Sequence, residues 1–255
     1  MLRRFAPLWF LALVAAPSTP LGAADLPAVV YDAEAAVHDE LAERMAALDT
    51  PEARASTLGW IDAQLAVDSG VEARRALIEA RCAVLAADSP LPEGFRGEFI
   101  GSVAAGATLG DVLQGVPASV SIAQAILESG WGRSAPGHNL FGMTGVGPAG
   151  SIVRKSVDYR RGKRILRRTP FRLYHDVAGS LMDHAQVLST SARYAEARAV
   201  ADDPALYARA LQGKYASDPR YAGKLDELRE RYGLDRFNWA PPPAVEVADG
   251  APATD

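Results

Sequence analysis

One apolar helix that ends in a carboxylic acid constrains this chain more than any other feature. The segment AQAILESGWGRS, residues 123–134, places Glu128 at the end of an apolar run and follows it with Ser, Gly, Trp and Gly. Small residues let the backbone turn sharply and let another segment approach closely. A carboxyl group that leaves hydrophobic packing there is partly desolvated, which raises its pKa and suits it to general acid catalysis. Glu128 is therefore the first candidate catalytic residue, and a solvated glutamate at a helix end is the alternative.

Two separated motifs resemble one known family. The first is residues 123–134 followed by HNLFG at 138–142, and it resembles the signature of bacterial glucosaminidase domains. These are endo-β-N-acetylglucosaminidases that cut peptidoglycan, and they include a flagellar peptidoglycan hydrolase and several autolysins. The second motif, KYASDPRYAGKL at 214–225, resembles the C-terminal motif of the same family. The resemblance covers about residues 93–236 and implies a lysozyme-like α lobe that faces a small β lobe across a cleft.

The resemblance implies catalytic roles for particular residues. Glu128 occupies the position of the proton donor. Relatives often carry a second glutamate, followed by tyrosine, on the β-hairpin, and here Asp158 precedes Tyr159 instead. Three alternatives follow for the second half of the reaction: Asp158 acts as the base, Asp158 only pairs with the neighbouring arginines, or the N-acetyl group of the sugar attacks the anomeric carbon itself.

The second motif supplies a further candidate catalytic residue. The resemblance makes Tyr215 a candidate for positioning the N-acetyl group or the nucleophile, and packing in the helical core is the alternative. We expect the substrate to contact aromatic and amide side chains near the two motifs, because such groups combine an apolar face with hydrogen-bonding atoms. These predicted substrate-binding residues are Trp131, Asn139, Phe141, Tyr194 and Tyr221. Contact with loop backbone is the alternative for Asn139, and packing is the alternative for Tyr194.

The sequence predicts no metal ion and no organic cofactor. Cys82 is the only cysteine, so no cysteine cluster can bind zinc, and the four histidines lack the spacing of metal ligands. No glycine-rich phosphate loop or dinucleotide-binding motif is present.

Charge is concentrated in one short segment. The chain has a formal net charge of −4, yet residues 154–172 contain nine basic residues and one acid. The aromatic residues nearby do not alternate with the basic ones as stacking platforms would, so we do not predict nucleic-acid binding. The segment favours peptidoglycan glycan strands as the partner, because their stem peptides carry carboxylates. A solvated basic hairpin without a ligand is the alternative.

Changes in composition predict four regions. Residues 1–24 have the order of a secretory signal: Arg3 and Arg4, an apolar run and small residues before a cleavage site near Ala24. We therefore predict a periplasmic or secreted protein with no permanent membrane span after cleavage. Residues 25–89 form a helical N-terminal segment that could recruit a protein partner, 90–236 form the catalytic domain, and 237–255 form a disordered, Pro-rich acidic tail.

Hydrophobic periodicity predicts a mainly α (α+β) fold with one small β unit. Three helices are expected within 31–88, and further helices around 95–127, 180–190, 204–212 and 224–232. Residues 151–159 and 165–173 alternate as the strands of a β-hairpin do.

Three functions remain open at this point. The first is a peptidoglycan β-N-acetylglucosaminidase with Glu128 as general acid. The second is a muramidase or lytic transglycosylase, since these enzymes also use a glutamate in a lysozyme-like fold. The third is a catalytically weakened wall-binding scaffold protein, which the aspartate at position 158 and the featureless N-terminal helices would suit.

Overall fold

The computed structural model describes residues 28–67, 70–160 and 163–241, with the backbone alone for 28–34, 156–160 and 163–165. Its secondary structure is mainly helical, with one hairpin. The helices are α1 (Ala28–Ala46), α2 (Pro51–Ala66), α3 (Val71–Asp88), α4 (Phe95–Gln114), α5 (Ala118–Ser129), α6 (Val177–Thr190), α7 (Ala195–Arg198), α8 (Pro204–Leu211) and α9 (Tyr221–Tyr232). The strands β1 (Ser151–Arg160) and β2 (Lys163–Arg172) pair antiparallel, and 3-10 turns span Pro136–His138, Ala192–Tyr194 and Leu234–Phe237. The predicted mainly α fold with a small hairpin is confirmed.

Helix α5 forms the centre of the molecule. Ten of its 12 residues are buried, and it packs against α4, α8, α9 and the turn Leu234–Phe237. A helix that is apolar on nearly all sides is stable only when other elements surround it completely. Burial of its Val, Ile and Ala side chains gives the hydrophobic driving force for this part of the fold.

Helix α4 is one continuous helix from Phe95 through Gln114. Two glycines explain its close contact with α6. A Cβ added to Gly106 would lie 2.7 Å from Leu181 Cδ1, and one added to Gly110 would lie 3.0 Å from the Cβ of Ala185. The glycines therefore serve helix packing at the α4–α6 interface.

The N-terminal helices pack onto the rest of the fold. Leu41 of α1, Ile61 of α2 and Leu77 of α3 share an apolar cluster with Leu109 of α4. Arg81 of α3 is buried, pairs with Asp62 at 2.8 Å and donates hydrogen bonds to backbone carbonyls of residues 236–238. The segment predicted as 25–89 is thus joined to residues near the C-terminal end of the described structure.

The described structure continues beyond the predicted start of the tail. The predicted tail begins at residue 237, but Phe237 is 1% exposed. Its carbonyl accepts hydrogen bonds from Thr108 and Arg81, and the side-chain oxygen of Asn238 accepts one from the Ser119 N–H, 2.8 Å away. The prediction of disorder is wrong for residues 237–239, because these long-range contacts are invisible in local composition. Residues 242–255 and the predicted signal, 1–24, lie outside the described residues.

Within the described ranges, no helix is both long and apolar enough to cross a membrane.

The first turn of α5 is capped by Asp111. One oxygen of this carboxylate accepts hydrogen bonds from the N–H groups of Ala118 and Trp239, at 3.1 and 3.0 Å. Burial raises the pKa of Asp111 to about 6, although both hydrogen bonds favour the charged form. The native state therefore holds this proton more tightly than the unfolded chain does.

We expect the free energy of unfolding to fall as the pH rises from about 4 to about 6, by up to about 3 kcal/mol from Asp111 alone. Asp111→Asn stays neutral and keeps an oxygen for the two N–H groups, so this part of the pH dependence should disappear. Urea unfolding of both proteins at several pH values in this window measures the difference. Identical pH slopes would show that Asp111 does not bind the proton.

Candidate active site

The chain reverses immediately after the candidate acid. Glu128 is the penultimate residue of α5, and Gly130, Trp131 and Gly132 all have positive φ, at 58°, 65° and 75°. Ser129 stabilises the reversal, since its hydroxyl donates to the Ala125 carbonyl and accepts from the Gly132 N–H. Glycine adopts positive φ without strain, whereas Trp131 does so at a cost that the surrounding contacts must offset. The small residues of the first motif thus let the helix end directly beside Glu128.

The carboxyl group of Glu128 has one defined partner. The side chain is exposed, and the Tyr221 hydroxyl donates to its Oε1 at 3.2 Å. Partial desolvation raises the pKa of Glu128, and the hydrogen bond from Tyr221 lowers it to a smaller extent. The net effect favours the protonated acid at higher pH than for a free glutamate. Glu128 thus has the property expected of a general acid.

A buried glutamine fixes the direction of this hydrogen bond. Gln124, on α5 one turn before Glu128, is fully buried and donates from Nε2 to the Tyr221 hydroxyl at 2.9 Å. Because the hydroxyl oxygen accepts from Gln124, its proton is free to point at Glu128. Sequence reasoning missed Gln124, although its spacing from Glu128 on a helix was a usable signal.

Tyr221, rather than Tyr215, contacts Glu128. The two rings stack with centroids 5.8 Å apart, and the Tyr194 ring lies 6.3 Å beyond Tyr215. The Tyr215 hydroxyl is buried, burial raises its pKa well above the usual value, and in the described part of the chain it has no hydrogen-bond partner. Tyr194 is 9% exposed. The structure therefore brings all three predicted tyrosines together but makes Tyr221 the direct partner of the acid.

Phe141 and Asn139 are both buried, and their predicted contact with substrate stays a prediction. Phe141 is 6% exposed and stacks on the ring of His184 at 3.7 Å. Burial lowers the pKa of His184 to about 3, so this imidazole is neutral at physiological pH. The Asn139 amide donates to the carbonyls of Met143 and Arg172, and its oxygen accepts from the Met143 N–H. Asn139 therefore joins its loop to the base of the hairpin.

Trp131 packs among other aromatic rings, and its predicted contact with substrate stays a prediction. Its ring meets Phe95, Phe99 and Tyr232 edge to face, with centroids 6.1, 6.0 and 5.2 Å away. The Arg96 guanidinium lies 5.6 Å from the indole centroid. A motif shows that an aromatic side chain is present but not which neighbours cover it.

The hairpin meets the helical body through its base. Arg172 at the end of β2 pairs with Asp183 of α6 at 2.6 Å, and Asp183 also accepts a hydrogen bond from Tyr174. Asp158, the predicted second catalytic group, lies in β1 with its Cα opposite that of Ile165. Its side chain lies outside the described part of the structure, so its role remains a prediction.

Among the described residues, no group of three or more His, Cys, Asp or Glu side chains is placed to hold a metal ion.

Comparisons with known proteins first define the class of fold. The catalytic domain of the autolysin Auto from Listeria monocytogenes superposes with a TM-score of 0.52 at 31% identity, over 66% of this chain and 97% of that domain. A family model for glucosaminidases, described as mannosyl-glycoprotein endo-β-N-acetylglucosaminidase, matches residues 111–234. The chain belongs to this glucosaminidase family.

Two curated relatives show how names vary within the family. A probable N-acetylmuramidase of Lactococcus lactis is 42% identical over 152 residues, which cover 56% of this chain and 35% of that protein. The exo-glucosaminidase LytG of Bacillus subtilis is 38% identical over 137 residues, which cover 51% of this chain and 49% of that protein. The chain thus spans between a third and a half of the length of these relatives.

We expect Tyr221→Phe to move the basic limb of the pH–rate profile to higher pH. The variant loses the hydrogen bond that stabilises the Glu128 carboxylate, so the acid keeps its proton to higher pH. It should also lower kcat by about tenfold, because the carboxyl group loses its orientation. Hydrolysis rates across the pH range test both effects.

Tyr232→Phe on the same helix is the control, because that ring packs against Trp131 and takes no part in the Glu128 network. A basic limb that moves to lower pH in Tyr221→Phe, or moves equally in both variants, would contradict the assignment.

Proposed function

We propose that this protein is a peptidoglycan hydrolase that cleaves the β-1,4 bond after N-acetylglucosamine, with Glu128 as the general acid. The observation that carries the proposal is the Glu128 carboxyl group, partly desolvated and oriented by Tyr221 at the end of a rigid buried helix. Membership of the glucosaminidase family supports the choice of sugar bond. The signal-like residues 1–24 suit action outside the cytoplasm, in the periplasm or after secretion.

The proposed reaction begins with proton transfer. Glu128 donates its proton to the glycosidic oxygen as the C–O bond breaks, and positive charge develops at the anomeric carbon. Tyr221 then stabilises the carboxylate that remains, because it donates a hydrogen bond to Oε1. Tyr221 thus favours the ionised form of Glu128, which proton transfer produces.

Two routes remain for the attack on the anomeric carbon. In the first, Asp158 removes a proton from a water molecule, which attacks from the opposite face of the sugar and inverts the configuration. In the second, the acetamido oxygen of the substrate attacks first and water opens the resulting ring, so the configuration is retained. In both routes the hydroxyl group of the water molecule ends on the anomeric carbon, and the proton that water releases can return Glu128 to its protonated form.

A muramidase is the second candidate function. The name of the Lactococcus lactis relative, a probable N-acetylmuramidase, favours it. Both activities would use Glu128 in the same way, and they differ in which sugar occupies the position before the broken bond.

We expect Glu128→Gln to lower product release by at least about a hundredfold, because the amide cannot donate the required proton. Mass spectrometry of digested peptidoglycan measures the release and also identifies the bond. Reducing-end N-acetylglucosamine supports the proposal, whereas reducing-end N-acetylmuramic acid indicates a muramidase and its anhydro form a lytic transglycosylase.

Glu98→Gln, at an exposed position on α4, is the matched control and should leave the rate unchanged. An unchanged rate in Glu128→Gln would refute the catalytic assignment. No soluble product from the unaltered protein would support the scaffold alternative.

We expect Asp158→Asn to slow hydrolysis by at least about tenfold if Asp158 is the base. In that case, NMR of the fresh product should show inverted configuration at the anomeric carbon. An unaffected rate together with retained configuration would exclude Asp158 as the base and point to assistance by the substrate.

A further inference from the structure

A cavity of about 220 Å3 lies between the loop after α5 and the base of the hairpin. The loop that lines one side of this cavity follows Glu128 directly in sequence. Its Ser134 N–H donates to the carbonyl of Ser129, the residue next to Glu128. Two cationic residues of β1, Arg154 and Lys155, line the opposite side. Arg154 shares its face of the hairpin with Phe171, whereas Lys155 belongs to the other face. The lining residues are Ser134, Pro136, Asn139, Gly142, Arg154, Lys155 and Phe171.

The cations at this cavity have no acidic partner in the described part of the chain. Arg154 and Lys155 are exposed, and neither forms an ion pair there. Lys155 also lies directly opposite Arg168 in the hairpin, and like charges in this position destabilise a strand pair. Arg172 at the base of the same hairpin differs, because it is paired with Asp183.

The rest of the lining adds no negative charge. The side-chain amide of Asn139 is fully used by backbone groups, and Pro136, Gly142 and Phe171 are uncharged. Among the described residues, no acidic side chain balances the charge of Arg154 at this cavity. Such a site favours a ligand that brings its own carboxylate.

We propose that this cavity binds a carboxylate of peptidoglycan stem peptides through Arg154. The inference rests on the proposed function, because it assigns the peptide part of the same substrate to a cavity lined by the loop that follows Glu128. Peptidoglycan carries its peptides on every second sugar, so a glycan strand held at Glu128 brings a peptide into the neighbourhood. The basic hairpin thereby distinguishes peptide-bearing glycan from uncharged amino-sugar polymers.

The experiment compares two forms of the same soluble glycan strands. Peptide amino groups are acetylated in both, and the peptide carboxylates are either left free or converted to methylamides. The measured quantity is the ratio of kcat/KM on the free form to kcat/KM on the amide form. This ratio is internal to each protein, so a variant that folds less well still gives a valid value.

We expect the unaltered protein to prefer free carboxylates by about threefold at low ionic strength, as one exposed ion pair allows, and less as salt is added. The Arg154→Gln variant should give a ratio close to one. Arg75→Gln, which removes an exposed cation on α3, is the charge-matched control and should keep the original ratio. An Arg154→Gln variant that keeps the original ratio, or an unaltered protein with no preference, would overturn the proposal.

Calorimetric binding of both strand forms to the Glu128→Gln protein separates this inference from the proposed function. Preferential binding of the free-carboxylate form, without hydrolysis by the unaltered protein, would leave the cavity assignment standing and refute the hydrolase. Hydrolysis by the unaltered protein without any preference in binding would refute the cavity assignment and leave the proposed hydrolase standing.

Discussion

Helix α5 is buried along nearly its whole length, and the rest of the structure depends on satisfying its two polar ends. At the first turn, Asp111 and Asn238 accept hydrogen bonds from the N–H groups of Ala118 and Ser119. At the last turn, the chain reverses at Gly130, and Glu128 remains exposed. Unpaired N–H and C=O groups at a buried helix end cost free energy. The contacts that pair them join α5 to segments distant in sequence, and α5 in turn positions the Glu128 carboxyl group.

This arrangement gives the N-terminal helices a structural role. Arg81 of α3 holds the backbone of residues 236–238, and Asn238 in turn caps α5. The path from Arg81 to the candidate acid therefore runs through hydrogen bonds and one rigid helix. A carboxyl group on such a support keeps its geometry, whereas Asp158 lies on a two-stranded hairpin whose base is joined to the body by the Arg172–Asp183 ion pair.

Much of this could be predicted from local sequence. The apolar run that ends at Glu128 and the alternating residues of the hairpin specify α5, β1 and β2, because periodicity and turn residues are local properties. The choice between Tyr215 and Tyr221 could not be predicted, since it depends on how α9 crosses α5. Asn139 and Phe141 occupy motif positions, yet tertiary packing turns both inward. The order of residues 237–239 likewise depends on Arg81, far away in the chain.

The central claim is that Glu128 donates the proton to a glycan strand lying between the loop after α5 and β1. The most direct test is a structure of the Glu128→Gln protein with a bound peptidoglycan tetrasaccharide. If Glu128 is the proton donor, a glycosidic oxygen should lie within about 3 Å of the introduced amide. A strand bound with no glycosidic oxygen near that position, for example in the cavity at the other end of α5 beside Asp111 and Trp239, would contradict it.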